Sequence, residues 1–147
     1  PALDRLVLEE KIPVIGICVG MQMLATSSEE GVRQGLGWIK GKVKRFDVTK
    51  ISQATRLPHM GWNDVRPKAG SPLFLGLEQA ARFYFLHSYY FECTNPDDSI
   101  ALANYGYEFT CAVQSDNVYG VQFHPEKSHH FGMRLLKNYA ELVHAKA

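Results

Sequence analysis

Cysteine is scarce in this 147-residue sequence, long apolar runs are missing, and charge of neither sign prevails. The three cysteines, Cys18, Cys93 and Cys111, are widely spaced and odd in number. That argues against a disulfide framework and for a reducing, cytoplasmic setting. No apolar stretch approaches the length of a membrane span and no signal peptide leads the chain, so membrane association is not expected. A formal net charge of +1 leaves no field that would gather nucleic acid or an anionic surface. Metal-site spacings are also missing. His124, Glu126, His129 and His130 cluster in sequence, but without Cys-x-x-Cys or His-Glu-x-x-His a zinc site is not expected. The glycine-rich loop at 31–37 lacks the Gly-Lys-Ser/Thr of a phosphate cradle, so no nucleotide cofactor is expected either.

What is present describes one soluble α/β domain over residues 1–147, with 46% hydrophobic and 21% charged residues. Leu3, Leu6, Val7 and Glu10 fall at helical spacing directly after Pro1. A helix with no preceding strand to cover leads to the expectation that an N-terminal part is missing. Residues 12–17 form a β-branched apolar run, expected to be a strand buried on both faces. It runs straight into strong helix formers after Cys18. A half-exposed strand is expected at 41–46, aromatic strand and pocket wall at 82–91, and a turn at 95–98. Further strands are expected at 100–103, 110–114 and 118–123, the last two joined through Ser115-Asp-Asn117. Phe131, Leu135, Leu136, Tyr139, Leu142 and Val143 make the stripe of a closing helix, with Ser128 as its cap.

Gly16-Ile-Cys18-Val-Gly20 has the form of a nucleophile elbow. A sharp strand-to-helix turn strains the nucleophile's backbone, and small flanking residues avoid clashes. The thiol then sits at a helix N-terminus, where N–H groups favour thiolate, and the Val19 N–H is placed to stabilise an oxyanion. Cys93 and Cys111 lie in strand patterns without flanking glycines and read as structural. A cysteine nucleophile needs a base. Gly120-Val-Gln-Phe-His124-Pro-Glu126 supplies His124 and an acid two residues on, on one side of an extended segment at a strand end. Taken alone His-x-Glu equally suits a satisfied surface histidine.

In order along the chain stand Gly-Ile-Cys18-Val-Gly-Met-Gln22, Ser-Glu-Glu30, Pro58-His-Met-Gly-Trp-Asn63, Phe83-Tyr-Phe-Leu-His-Ser-Tyr89 and Gln122-Phe-His-Pro-Glu-Lys-Ser128. This set resembles the class I glutamine amidotransferases, and among them the glutaminase subunits of imidazole glycerol phosphate synthase. The resemblance covers nearly the whole chain from Pro13. It implies an open twisted sheet flanked by helices, here shortened at the N-terminus.

The same resemblance implies that Cys18 attacks the side-chain amide of glutamine, that His124 shuttles the proton, and that Glu126 orients His124. It implies no cofactor. Gln22 and Glu30 match glutamine-holding positions, with Glu30 the partner of the α-ammonium, and Tyr84, His87 and Ser88 match the lining of the same pocket. Pro58, His59, Met60, Gly61, Trp62, Asn63 and Lys127 fall where such subunits meet their synthase partner, a (β/α)8 barrel that receives the ammonia. Val19 replaces a common leucine, conservatively, since its N–H does the work. The family's second oxyanion donor belongs to a Pro-Gly-Val-Gly loop that this sequence lacks, so slow turnover of the chain as written is expected.

Two other readings stay open. Gly35-Leu-Gly-Trp-Ile and Pro-Glu-Lys-Ser-His129 also resemble glutaminases that feed ammonia to a sugar-amidating partner in surface-polysaccharide biosynthesis. The chain could also be a catalytically silent interaction fragment.

Overall fold

The computed structural model describes residues 2–31, 34–51 and 57–146, so positions 32 and 33 of the glycine-rich loop lie outside the described residues. The chain opens on α1 (Ala2–Asp4), continued by a π-helical turn at Arg5–Glu9. The opening helical spacing is real but its stripe is not buried: Val7 is covered, whereas Leu3 and Leu6 are exposed. Strand β1 (Val14–Ile17) then enters the elbow and helix α2 (Val19–Met23). Next come β2 (Ser27–Ser28), β3 (Gly41–Arg45), β4 (His59–Asp64) and β5 (Arg66–Pro67). The aromatic run becomes two strands, β6 (Arg82–His87) and β7 (Tyr89–Cys93), broken at Ser88. The chain finishes with β8 (Ser99–Tyr105), β9 (Tyr107–Ser115), β10 (Val118–Val121) and helix α3 (His129–Lys146).

One sheet runs β1-β10-β9-β7-β3-β2, with β8 paired to β9 and β5 to β8, while β4 and β6 form a separate ribbon. The α/β expectation holds, but the sheet is mixed and the helices are few. Only β1–β10 and β2–β3 are parallel pairs among the described strands. The reason lies in the connections, since short turns can join only antiparallel neighbours. Asp116 takes a left-handed φ of 54° between β9 and β10. Gly106 does so between β8 and β9, where a Cβ would come within 2.6 Å of the Lys50 carbonyl oxygen.

Strand β1 is half-buried rather than buried on both faces. Among the described residues it pairs only with β10. The aromatic core lies beneath the ends of β1 and β10. Phe83 and Phe123 stack with centroids 4.0 Å apart, and Phe85, Phe74 and Phe109 pack around them. Such pairs contribute about 0.5–1.5 kcal/mol each beyond area burial.

Helix α3 buries Leu135 and packs Phe131, Tyr139 and Leu142 against this core. Leu136 departs from the expected stripe and is exposed, its place on the inner face taken by buried Asn138, which donates to the Leu73 and Leu75 carbonyls. Ser128 does not cap the helix with its side chain. Its hydroxyl donates to the His124 carbonyl at 2.6 Å and accepts from the Tyr84 N–H at 3.0 Å. His124 N–H in turn donates to the Tyr84 carbonyl at 2.8 Å. The segment after β10 is thereby clamped to β6.

Asn117 performs a similar task at the other end of β10. Buried, it donates to the carbonyls of Val7 at 2.8 Å and Ile12 at 2.7 Å, holding the opening helix beside the sheet. Asn117→Ala leaves these carbonyls without their donor, which costs about 1–3 kcal/mol. Urea unfolding should report a lower midpoint with little change in slope, and an unchanged midpoint would show that the tie is dispensable.

Candidate functional site

Strand β1 and strand β10 run parallel, with Ile17 in register with Val121, and both end at the same edge of the sheet. The Cys18 N–H extends that pairing by donating to the Val121 carbonyl at 2.8 Å. Cys18 and the segment carrying His124 therefore leave adjacent strands side by side. The elbow is strained as expected, with Cys18 at φ 55°, ψ −108°. Its glycines are not equivalent, however. A Cβ on Gly16 would lie 2.5 Å from the Gly20 carbonyl oxygen, whereas one on Gly20 would meet open space. Only Gly16 is required by close approach.

The thiol is buried and its pKa is raised, not depressed. Burial is the largest cause; the Val19 N–H and the Gln122 carboxamide pull it back down, Glu126 adds a smaller rise, and Lys127 a smaller fall. Helix α2 spans five residues, with Cys18 at its N-cap. Sγ donates to the Leu86 carbonyl at 3.7 Å and receives Gln122 Nε2 at 3.6 Å. The other two cysteines are poorer nucleophiles. Burial pushes Cys93 up to about 12, and fully buried Cys111 higher still.

His124 Nδ1 lies 2.8 Å from Glu126 Oε2. The pair meets although Glu126 is not in an extended segment. It belongs to a single 3-10 turn, Pro125–Lys127, that folds the carboxylate back under the ring. With Nδ1 engaged by the carboxylate, Nε2 is the nitrogen left to exchange protons.

A cavity of about 200 Å³ opens over the elbow, lined by Cys18, Val19, Gln22, Glu30, Leu86, His87, Ser88 and Tyr89. Five of the six residues expected to hold substrate are therefore together: Val19, Gln22, Glu30, His87 and Ser88. Tyr84 is not. Its ring lies edge-on to Trp62 with the Lys127 ammonium 5.9 Å above it, so it belongs to the outer face of the β4–β6 ribbon. His87 lines the cavity but its ring is buried and spoken for, bonded to the Tyr89 carbonyl and to His59. A larger cavity, about 440 Å³, lies over β7, β8 and β9 and contains Cys93 and Lys68 but no histidine.

Alternation along β4 divides the expected docking residues. Met60 and Trp62 point outward, Met60 opposite exposed Leu86 and Trp62 opposite Tyr84. His129 stacks on Trp62 with rings 5.5 Å apart, and exposed Lys127 stands beside them. His59 points inward and is buried, its ring stacked on Phe85 and Tyr105. Gly61 and Asn63 follow it on the inner, half-buried side, and Pro58 is half-buried just ahead of the strand. His59 is accordingly a core residue and not a docking one.

Gln122 was not among the candidates. Fully buried, it accepts from Gln22 Nε2 through Oε1 at 3.2 Å and presents Nε2 to the sulfur. Its place two residues ahead of His124, at the head of the 122–128 segment, was the signal in the sequence that could have found it.

The family model for glutamine amidotransferase class-I matches residues 1–142. Curated relatives named imidazole glycerol phosphate synthase subunit HisH include one from Bdellovibrio bacteriovorus, 64% identical over 95% of this chain and 69% of its own length. Another, from Leptospira interrogans, is 56% identical over the same shares, and one from Pseudomonas aeruginosa is 50% identical over 96% and 68%. Among solved structures, a glutamine amidotransferase superposes with a TM-score of 0.68 at 19% identity, covering 97% of this chain and 66% of the other. A Thermotoga maritima glutamine amidotransferase gives 0.62 at 20%, covering 99% and 54%. At those identities the two structures speak for the fold alone, while the family match and the sequence relatives carry the assignment. The chain belongs to the class-I glutamine amidotransferase family.

Proposed function

We propose that this chain is the glutaminase of an imidazole glycerol phosphate synthase, releasing ammonia from glutamine for a synthase partner in histidine biosynthesis. The observation that supports this site best is the parallel pairing of β1 and β10, whose Ile17–Val121 rung lies just ahead of the strained Cys18 on one strand and of the His124–Glu126 pair on the other. The high identity to subunits of that name carries the pathway. We read the whole chain as one glutaminase domain.

In this reading glutamine enters the cavity over the elbow with its α-ammonium against exposed Glu30. Cys18 Sγ attacks the side-chain amide carbon as its proton passes to His124 Nε2. The oxyanion forms against the Val19 N–H. His124 returns the proton to the leaving nitrogen, ammonia departs, and a glutamyl thioester remains. Water, deprotonated by His124, then attacks the thioester and releases glutamate. Glu126 holds the ring in the tautomer that makes this possible.

The ammonia is useful only to a partner that shields it from water. Met60, Trp62, Leu86, Tyr84 and Lys127 form an aromatic, apolar patch with one lysine on the outer face of the β4–β6 ribbon. We place a (β/α)8-barrel synthase subunit against this face. A cytoplasmic setting suits the free thiols, a soluble acceptor and the absence, among the described residues, of any helix long and apolar enough to cross a membrane.

Brief treatment with a glutamine-like chloroketone should label Cys18 ahead of Cys93 and Cys111, as peptide mass spectrometry would show. Because burial raises the Cys18 pKa, labelling of the resting protein should keep rising with pH beyond the range of an ordinary free thiol. First labelling at Cys93 or Cys111 would remove the nucleophile assignment.

His124→Ala should lower glutaminase kcat by about 10²–10⁴. Glu126→Gln should cost less, because the carboxylate orients the ring without moving the proton. Steady-state kinetics showing small and equal losses would break the triad.

Lys127→Glu should weaken binding of the synthase subunit, and the loss should shrink as salt is raised. Calorimetric affinities indifferent to this reversal would place the docking face elsewhere.

A further inference from the structure

A polar chain runs from the β4–β6 ribbon to Cys18, and the tautomers of its two buried histidines are determined by chemistry at both ends. At the outer end Asn63 Oδ1 accepts from the Asp64 N–H at 2.8 Å, which orients the amide. Its Nδ2 then donates to the Asn104 carbonyl at 2.7 Å and lies 3.2 Å from His59 Nε2. An amide N–H can only donate, so His59 Nε2 is bare and its proton is on Nδ1. His59 Nδ1 stands 2.9 Å from His87 Nε2 and donates to it. His87 therefore carries its own proton on Nδ1, which donates to the Tyr89 carbonyl at 2.8 Å. A carbonyl can only accept, so the inner end demands the same tautomers as the outer one.

The Tyr89 carbonyl also accepts from Gln22 Nε2 at 3.4 Å. The same Gln22 nitrogen donates to Gln122 Oε1, which turns Gln122 Nε2 toward Cys18 Sγ. Burial holds both rings neutral, His59 at about 4 and His87 at about 3, so the chain needs no charge to persist. Aromatic stacking on His59 from Phe85 and Tyr105 leaves the ring little room to turn.

We propose that Asn63, His59 and His87 are positioning residues of the glutaminase. Their bonds run one way from Asn63 to the Tyr89 carbonyl, which also accepts from Gln22, and through Gln22 and Gln122 the chain continues to the Cys18 thiol. This rests on the docking of a synthase subunit on β4 as read above. A partner that shifts β4 moves Asn63 and His59 with it, and the shift reaches the Tyr89 carbonyl that Gln22 shares. Gln122 then moves relative to Sγ, which otherwise donates to the Leu86 carbonyl as a thiol. A donor brought closer to sulfur favours the thiolate, and in this proposal docking at β4 brings Gln122 closer and so activates Cys18 without touching it.

Two measurements on the full-length protein test this. Nitrogen-15 NMR of the imidazoles should find the proton on Nδ1 of both His59 and His87. In Asn63→Asp, whose carboxylate can only accept, His59 should move its proton to Nε2. Nε2–H tautomers in the unsubstituted protein overturn the chain. The second measurement is the rate of Cys18 labelling by a glutamine-like chloroketone, with and without saturating synthase subunit. The subunit should accelerate labelling, and His59→Phe, which keeps the stacked ring but removes both nitrogens, should lose about tenfold of that acceleration. Asn63→Asp should lose a similar share. Acceleration kept within about twofold in both variants, with the subunit bound normally, overturns the relay alone. A synthase subunit that fails to bind the unsubstituted protein overturns the functional reading instead, and the proposed coupling with it.

Discussion

The pairing of two parallel strands is the constraint from which the site follows. Register between β1 and β10 decides which residue stands beside Cys18 when the strands end. A slip of one residue would turn Gln122 away from the sulfur and exchange the faces on which its neighbours lie. The Cys18 N–H bond to Val121 closes that register at its last rung. Gly16 lets α2 turn back without striking the strand, and Gly120 leaves room beneath it, since a Cβ there would come within 2.8 Å of the Met21 side chain. Two glycines on adjacent strands therefore allow a helix to sit directly over the pairing that positions the nucleophile.

His124, the proposed base, is held by a different device. After β10 the chain is no longer in the sheet, and the Tyr84 backbone replaces the missing neighbour strand. Its carbonyl takes the His124 N–H, while its N–H is received by the Ser128 hydroxyl, which itself grips the His124 carbonyl. Behind this clamp the stacked Phe83 and Phe123 fill the space between ribbon and sheet. The imidazole is thus carried on a segment rigid at both its backbone and its apolar flank. Precision of this kind is what a proton shuttle requires, since small misplacements of reacting groups cost rate steeply.

The elements with strong local signals were legible in the sequence. β-branched runs, the Pro-Asp-Asp turn and the helical stripe all reported themselves, and the elbow and His-Pro-Glu segment pointed to the proposed triad. Pairing partners were not legible, because a strand's neighbour is chosen by contacts distant in sequence. So β1 read as a doubly buried strand although it is half-buried and, among the described residues, pairs only with β10. Ser128 read as a helix cap because serine before a helix usually is one. His59 read as a docking residue because it lies within a motif, and only the two-residue period of β4 separates it from Met60 and Trp62. Gln122 opens the His-Pro-Glu segment, but nothing local marks its contact with the sulfur. Its role appears only once the register brings it opposite the sulfur.

The raised pKa of Cys18, the proposed nucleophile, is also informative. A thiol pushed upward by burial and bonded to a carbonyl holds its proton, and a protonated sulfur attacks an amide poorly. Ammonia released into bulk water is protonated and loses its nucleophilicity, so a thiol permanently ionised would waste glutamine. The neighbours of Cys18 are arranged so that this balance can be reversed by small movements. The Leu86 carbonyl favours the thiol, whereas the Gln122 carboxamide and the Val19 N–H favour the thiolate. Leu86 lies on the same ribbon that presents Met60 and Trp62 to solvent, directly opposite Met60. The acceptor that holds the proton and the surface suited to a partner are therefore parts of one two-stranded element, and displacing that element relative to α2 changes which state of the sulfur is preferred.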